Sequence, residues 1–276
     1  MTERPDNPII FALDVGSWAE AERFVQGLRE WVWGFKIGKE LFTWMGPKVV
    51  EMVQERGSKV FLDLKYHDIP STVAKAAAMA TRLRVSMFNV HALGGTEMMR
   101  AAVEASHEAA QKEGQSPPTI LGVTVLTSLQ ARDLRAVGIT LPVEEEVVLL
   151  ASLAQKAGLD GVIASPLEIK PLREACGADM VIVTPGVRPD KDRQLAKPKG
   201  GPRPGPLTKG PLTKGSLAKR PPSASASAPD DQARVMTPAE AIKAGADYLV
   251  IGRPIRDATD PLKATQEIIQ EIRSAQ

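Results

Sequence analysis

The sequence predicts an α/β protein, a (β/α)8 barrel of the TIM type, and three observations carry that expectation. Eight short apolar runs recur along the 276 residues, helical patterns lie between most of them, and three joins repeat the order helix, Gly, strand. Eight alternating β and α units fill about 250 residues in such a barrel. A doubly wound open sheet is the competitor, and it wants a Gly-rich dinucleotide turn after the first strand. D-V-G-S-W at 14–18 is not one.

The runs are IIFALD (9–14), GFKIG (34–38), KVFLDLK (59–65), VSMFNVH (85–91), TILGVTVL (119–126), GVIAS (161–165), MVIVTPG (180–186) and YLVIG (248–252). Their near-continuous hydrophobicity, without strict alternation, is that of strands covered on both faces by helices. S-W-A-E at 17–20, S-P-L-E at 165–168 and T-P-A-E at 237–240 each put a hydroxyl N-cap three residues before a Glu, the pattern that satisfies the first N–H groups of a helix reciprocally. Gly57, Gly158 and Gly245 fall just past a helix and just before a strand. The four Trp, at 18, 31, 33 and 44, have no regular spacing and are expected on the barrel's outer layer.

Hydrophobic residues make up 43% and charged residues 25%, a balance that excludes a wholly disordered, fibrous or membrane-embedded chain. A single cysteine, Cys176, forbids an internal disulfide and fits a reducing compartment. The first ten residues, MTERPDNPII, carry charge and proline where a signal peptide needs an apolar run, and no stretch matches a membrane span. A cytoplasmic protein with no membrane partner is therefore expected.

One barrel domain is expected over 1–276, interrupted after strand seven by an insert at 190–229. Residues 191–229 hold eight Pro, five Gly and no aromatic residue, and 205–219 read G-P-L-T-K, G-P-L-T-K, G-S-L-A-K. Such a composition buries too little apolar surface to offset its ordering entropy, so a disordered loop is expected, most simply a tolerated surface expansion. Nine Lys or Arg against one Asp at 191–220 give this stretch a net +8, leaving −6 on the rest of a chain whose total is +2. An acidic body with a basic insert argues against nucleic acid as a partner of the barrel.

Side chains at the carboxyl ends of barrel strands converge on one face, so polar residues there are candidates for chemistry. Asp14 ends strand one, Lys36 lies in strand two, Asp63 and Lys65 end strand three, Asp68 follows in its loop and His91 ends strand four. Two residues apart on a strand, Asp63 and Lys65 point to the same side. Charges inside V-F-L-D-L-K need partners, and the five groups Asp14, Lys36, Asp63, Lys65 and Asp68 would supply them to one another. Such an array can keep a Lys protonated as a proton donor while facing an anionic substrate with fixed negative charge; the alternative is a structural ion-pair network. Strand seven runs into T-P-G-V-R (184–188) and strand eight into I-G-R-P (251–254), which brings Gly186, Arg188, Gly252 and Arg253 to the loops where barrels often bind phosphate. His91 is either a site residue or a satisfied strand-end histidine. Thr124, Thr127 and Ser128 either bond a ligand or cap the next helix. No His or Cys cluster has metal-ligand spacing, and no P-loop or G-x-S-x-G elbow is present.

D-L-K-Y-H-D-I-P-S-T at 63–72 resembles the D-x-K-x-x-D-I-P signature of the orotidine 5′-phosphate decarboxylase family. F-A-L-D (11–14), F-K-I-G-K-E (35–40), V-T-V-L-T-S (123–128), V-T-P-G-V-R-P (183–189), D-Q-A-R-V-M-T-P (231–238) and V-I-G-R-P-I (250–255) match in the family's order. The resemblance implies decarboxylation of orotidine 5′-phosphate to UMP in pyrimidine biosynthesis, with no metal and no organic cofactor. Carried over by position, it implies Lys65 as proton donor to C6 of the pyrimidine and Asp63 beside the departing carboxylate. It implies that Asp14 and Lys36 bind ribose hydroxyls, Lys36 also linking the charged chain, and that Thr127 contacts the nucleotide. Arg188, Gln232, Gly252 and Arg253 would hold base or phosphate. Asp68, Ile69 and Thr72 would reach into a neighbouring subunit's site, which implies a homodimer with shared active sites. The 44-residue separation of Arg188 and Gln232 departs from the short closing loop usual in the family.

The nearest rival is a magnesium-dependent sugar-phosphate decarboxylase or aldolase of the related phosphate-binding barrels, which shares D-x-K-x-x-D; the I-P-S-T continuation and D-Q-A-R-V-M-T-P argue against it. From another class, the basic insert could engage nucleic acid on an inactive scaffold, a reading the five-charge array opposes.

Overall fold

A computed structural model of the chain describes residues 7–189 and 236–275. The 190–229 insert and Gln232 lie outside the described residues. Eight strands, β1 (Ile9–Ala12), β2 (Gly34–Gly38), β3 (Lys59–Tyr66), β4 (Met87–His91), β5 (Thr119–Val123), β6 (Gly161–Ile163), β7 (Val181–Pro185) and β8 (Tyr248–Ile251), pair in chain order, all parallel, and β8 returns to β1. The expected barrel is closed. Each expected run carries one of these strands; β3 continues one residue past its run, and five of the eight stop one to three residues before the apolar run does, so those ends become loop at the mouth.

Helices α1 (Trp18–Leu28), α2 (Lys39–Met45), α3 (Lys48–Glu55), α4 (Pro70–Arg82), α5 (Thr96–Lys112), α6 (Ala131–Ala136), α7 (Val143–Lys156), α8 (Ile169–Cys176), α9 (Pro238–Ala244), α10 (Arg253–Arg256) and α11 (Pro261–Arg273) follow the strands. Strand periodicity divides the core in two. Ile9 and Phe11 of β1 point outward into the layer shared with the helices, with Phe24, Val25 and Leu28 of α1 among their neighbours. Ile10 and Ala12 point inward with Phe61, Met87, Leu121, Val123, Ile163, Val183 and Val250 to fill the barrel interior. Trp33 corrects the expectation for the tryptophans: it packs against the inner cluster, edge-on to Tyr248 at 5.0 Å between ring centroids, and so closes the amino-terminal end. Trp18, Trp31 and Trp44 do lie outside, Trp44 being 77% exposed.

The helix signals hold in two of three places. Ser17 accepts from the Glu20 N–H, and Thr237 with Glu240 forms a full reciprocal box. Ser165 does not cap: S-P-L-E makes a single 3-10 turn, Pro166–Glu168, with no bond from the Ser165 side chain to a helix N–H. The glycine stops Gly57, Gly158 and Gly245 all adopt positive φ, at 75°, 88° and 113°. Among the described residues no helix is long and apolar enough to cross a membrane.

At Gly161, the first residue of β6, the strands approach closely: a Cβ there would stand 2.3 Å from the Val181 carbonyl oxygen and 2.9 Å from Leu121 Cδ2. Gly27, inside α1, faces open space. Gly161→Ala is expected to destabilise the barrel by about 1–3 kcal/mol through overpacking, whereas Gly27→Ala should be neutral or gain up to roughly 1 kcal/mol by removing a flexible helical residue. Urea unfolding of the two variants checks the contrast; an unchanged midpoint for Gly161→Ala would show that β6 and β7 can part without cost.

Candidate active site

At the carboxyl ends of the strands lies a cavity of about 810 Å³, floored by inner-core side chains such as Phe61, Val123, Ile163 and Val250. Its walls differ in chemistry. One carries Asp14, Lys36, Asp63 and Lys65 from β1 to β3, and the other carries Gly186, Arg188, Gly252, Arg253 and Arg256 from the ends of β7 and β8.

The charged wall is a chain of contacts. Lys36 Nζ donates to Asp14 Oδ1 at 3.0 Å and lies 3.3 Å from Asp63 Oδ2, while Lys65 Nζ donates to Asp63 Oδ1 at 2.5 Å. Register explains how Lys36 reaches both carboxylates. It pairs with Phe61, two positions below Asp63, so its aliphatic stem runs up inside the barrel and delivers the ammonium one layer higher. Gly38 opposite Asp63 leaves the space, since a Cβ there would meet Asp14 Oδ1 at 3.0 Å and Lys36 Nζ at 3.1 Å.

Burial alone would push Asp63 up, but the adjacent Lys36 and Lys65 outweigh it and hold the carboxyl below its ordinary range. Burial would likewise lower Lys36, and Asp63 and Asp14 reverse that, leaving its ammonium above the ordinary lysine value. Between the unperturbed values, 3.8 for Asp63 and 10.5 for Lys36, both groups are therefore charged. The stabilisation tied to Asp63 is lost only as pH falls through its depressed value, and that tied to Lys36 only as pH rises through its elevated one.

Lys65 departs from simple strand alternation. Its φ is +54°, in the left-handed region, and the β3–β4 register slips between Leu62 and Tyr66. The slip forms a bulge at the point where Asp63 and Lys65 both line the cavity. Sequence reasoning missed the residue opposite it, Asn89, which is fully buried in the apolar run of β4 and bonds both Asp63 and the Lys65 N–H at 2.7 Å. A lone amide inside M-F-N-V-H was the available signal. It also missed Arg256, which donates to the Asp14 carbonyl oxygen at 2.9 Å, and Glu40 at the rim.

Not all the expected residues meet. Thr127, Arg188, Gly252 and Arg253 line the cavity as expected. Of the five expected charges, Asp68 does not join: it is exposed, its carboxylate accepts from the Ile69 N–H at 2.7 Å, and Asp68, Ile69 and Thr72 stand outside this chain's own cavity. Thr124 turns away, donating its buried hydroxyl to the Ile163 carbonyl, and Ser128 does not cap α6, whose N-cap is Gln130. His91 is not on the cavity wall. Burial, with His67, Lys65 and Lys39 nearby, lowers it to about 4 against the pull of Asp63, and its ring lies 5.4 Å from that of His67. Among the described residues no three or more His, Cys, Asp or Glu are grouped to hold a metal ion.

A sequence model described as the orotidine 5′-phosphate decarboxylase / HUMPS family matches residues 7–206 and 212–268. The chain belongs to this family. The orotidine 5′-phosphate decarboxylase of Syntrophotalea carbinolica is 50% identical over 97% of this chain and 95% of its own length, and that of Geobacter sulfurreducens 49% over 96% and 95%. The crystal structure of the orotidine 5′-phosphate decarboxylase from Lactobacillus acidophilus, 33% identical, superposes with a TM-score of 0.75 over 98% of this chain and 99% of that one. The family's D-x-K-x-x-D-I-P stretch thus falls here on β3, its bulge and the loop into α4, and the first Asp and the Lys are the pair in contact.

His91, at the end of β4, gives the folded protein a pH signature. Because its pKa is depressed from 6.5 to about 4, the unfolded chain binds the proton first as pH falls, so the stability this histidine supplies is intact above pH 6.5 and lost on acidification towards 4. An NMR titration should place the imidazole midpoint near 4, and His91→Gln should flatten the stability slope across that interval; a midpoint near 6.5 would show that the ring is solvated.

Proposed function

We propose that this chain is a carboxy-lyase that converts orotidine 5′-phosphate to UMP in pyrimidine biosynthesis, without a metal or organic cofactor. The observation that carries the reading is the contact chain Asp14, Lys36, Asp63, Lys65 on one wall of the cavity, in a member of a family whose similar curated relatives are named for that reaction.

Loss of CO2 from C6 of the pyrimidine leaves an electron pair on carbon with no conjugated sink to receive it. Stabilisation must then come from charge already in place. Lys65 is the proton donor in this reading: its ammonium neutralises the developing carbanion and protonates C6. Asp63 sits beside the departing carboxylate and fixes the Lys65 ammonium, while Lys36 holds Asp63. Asp14 and Lys36 take ribose hydroxyls, and Thr127 contacts the nucleotide. Arg188, Gly252, Arg253 and Gln232 hold base or phosphate, and the guanidinium fork suits phosphate oxygens. Holding the phosphate on the far wall lets binding energy remote from the reacting carbon position it against Lys65.

Asp68, Ile69 and Thr72 belong in this reading to the site of a second copy, making the protein a homodimer with shared active sites. Their exposure outside the chain's own cavity supports that role, Ile69 being an apolar side chain left 64% exposed. A single barrel domain carrying the 190–229 insert, working in the cytoplasm, completes the proposal.

The direct experiment is a spectrophotometric assay with orotidine 5′-phosphate in the presence and absence of EDTA, with chelator-insensitive turnover expected. Lys65→Ala should nearly abolish kcat while leaving the fold and UMP binding largely intact, because the lost interaction is strongest with the developing carbanion. Near-normal kcat in that variant would sink the mechanism. Arg253→Ala should mainly raise KM.

The shared site makes its own demand. Mixing inactive Lys65→Ala with inactive Asp68→Ala should regenerate activity, since a mixed dimer holds one site with both residues intact. Demonstrated subunit exchange with no recovery would refute the sharing.

A further inference from the structure

We propose that Asn89 is a positioning residue for the decarboxylation, the group that holds Lys65 in its left-handed conformation and sets the donor face of Asp63. The inference rests on the reading of function above and concerns a side chain outside the cavity wall.

Opposite the bulge the ladder cannot serve Lys65. Register pairs Leu62 with Phe88 and Tyr66 with Val90, so four steps along β3 oppose two along β4. The N–H of Lys65 finds its partner in the Asn89 side chain, whose Oδ1 accepts it at 2.7 Å. The other end of the same amide, Nδ2, donates to Asp63 Oδ1 at 2.7 Å. This fixes the orientation of the amide without ambiguity: a backbone N–H can only donate and an ionised carboxylate can only accept, so the oxygen must face Lys65 and the nitrogen Asp63. Asn89 is fully buried. No water can substitute for either bond without a cavity being opened.

The same oxygen of Asp63 thus receives Asn89 Nδ2 and Lys65 Nζ. A left-handed conformation for a non-glycine residue costs free energy and persists only where neighbours over-determine it. One rigid amide ties the Lys65 backbone to the carboxylate its own ammonium touches, so the strained backbone and the ion pair hold each other. Aspartate, isosteric with asparagine, would keep an acceptor for the Lys65 N–H but set a second carboxylate against Asp63. Alanine would remove both bonds.

The test compares the parent chain with Asn89→Ala, Asn89→Asp and, as a control for stability loss alone, Thr81→Val. Thr81 is buried remote from the cavity walls, where its hydroxyl bonds the Ala77 carbonyl and Ser106. Asn89→Ala should lower kcat by about a hundredfold, the scale of a misplacement near 1 Å, with KM changed less than about threefold. Thr81→Val should lose stability and keep its kcat. The charged groups around Asp63 are Lys36 of β2 and Lys65 of β3, with Asp14 beyond Lys36, and the titratable neighbour on β4 is His91. Adding a carboxylate among them in Asn89→Asp should make one proton of the new pair harder to remove, moving the acid limb of the kcat profile to higher pH.

Should Asn89→Ala fail to fold, the Asn89→Asp limb decides. A folded Asn89→Ala variant with kcat within about threefold of the parent, or an acid limb unmoved in Asn89→Asp, would overturn the proposal. Absence of turnover in the parent chain would instead defeat the reading of function. In that case a crystal structure of Asn89→Ala still decides: loss of positive φ at Lys65 supports the positioning role, and an unchanged Lys65 backbone and Asp63 contact refutes it.

Discussion

Asp63 is a carboxylate buried in the mouth of an apolar barrel, and the arrangement of the site follows from the need to compensate it. A lone ion there would neutralise itself by taking up a proton. Two ammonium groups and an amide prevent that: Lys36 from β2, Lys65 from the same strand and Asn89 from β4. Asp14 then balances Lys36 from the end of β1. Two negative and two positive charges make a neutral set across adjacent strands, which is how so much charge can sit against the inner core. The pairs are worth little as net stabilisers, since desolvation offsets much of their attraction. Their effect is to fix positions.

Those positions depend on closure of the barrel in a particular register. Pairing Lys36 with Phe61 and Gly38 with Asp63 sets the lysine one layer below the carboxylate it serves, and a shift of β2 by one residue would turn Lys36 out into the helical layer. The all-parallel order also gathers every strand's carboxyl end at one rim, so Arg188 and Arg253 line the same cavity as the array although they lie far from it in the chain. The charge array stands largely on strands, whereas the phosphate wall that the proposed function needs stands on the loop after β7 and the turn into α10.

Much of this was legible in the sequence because it depends on local pattern. The strands announced themselves by apolar runs, the helix stops by glycine, and the array by charged residues where an apolar run should have continued, as in V-F-L-D-L-K. What was not legible depends on tertiary pairing. The bulge at Lys65 needs the β4 register, which no local signal gives, and without it Asn89 reads as one polar residue in a strand. S-P-L-E at 165–168 has the composition of a capping box, yet the chain makes only a single 3-10 turn there before α8. Trp33 has no periodic partner to reveal that it closes the barrel floor. Asp68 was expected among the array because it is close in sequence, but the turn into α4 carries it outward.

Separating the two walls has an electrostatic logic of its own. An arginine placed beside Asp63 would compete with Lys65 for the carboxylate, and its fixed fork would hold that oxygen better than a single ammonium does. With Arg188 and Arg253 on the loops after β7 and β8, Asp63 is left to the lysines, one of which must also be free to give up a proton in the proposed chemistry. Arginine, which does not deprotonate in proteins, could hold the charge but not complete that step. The proposed chemistry therefore needs lysine on the strand wall for its proton and arginine on the loop wall for its geometry. The sequence supplies them in that order, with K at 36 and 65 and R at 188 and 253.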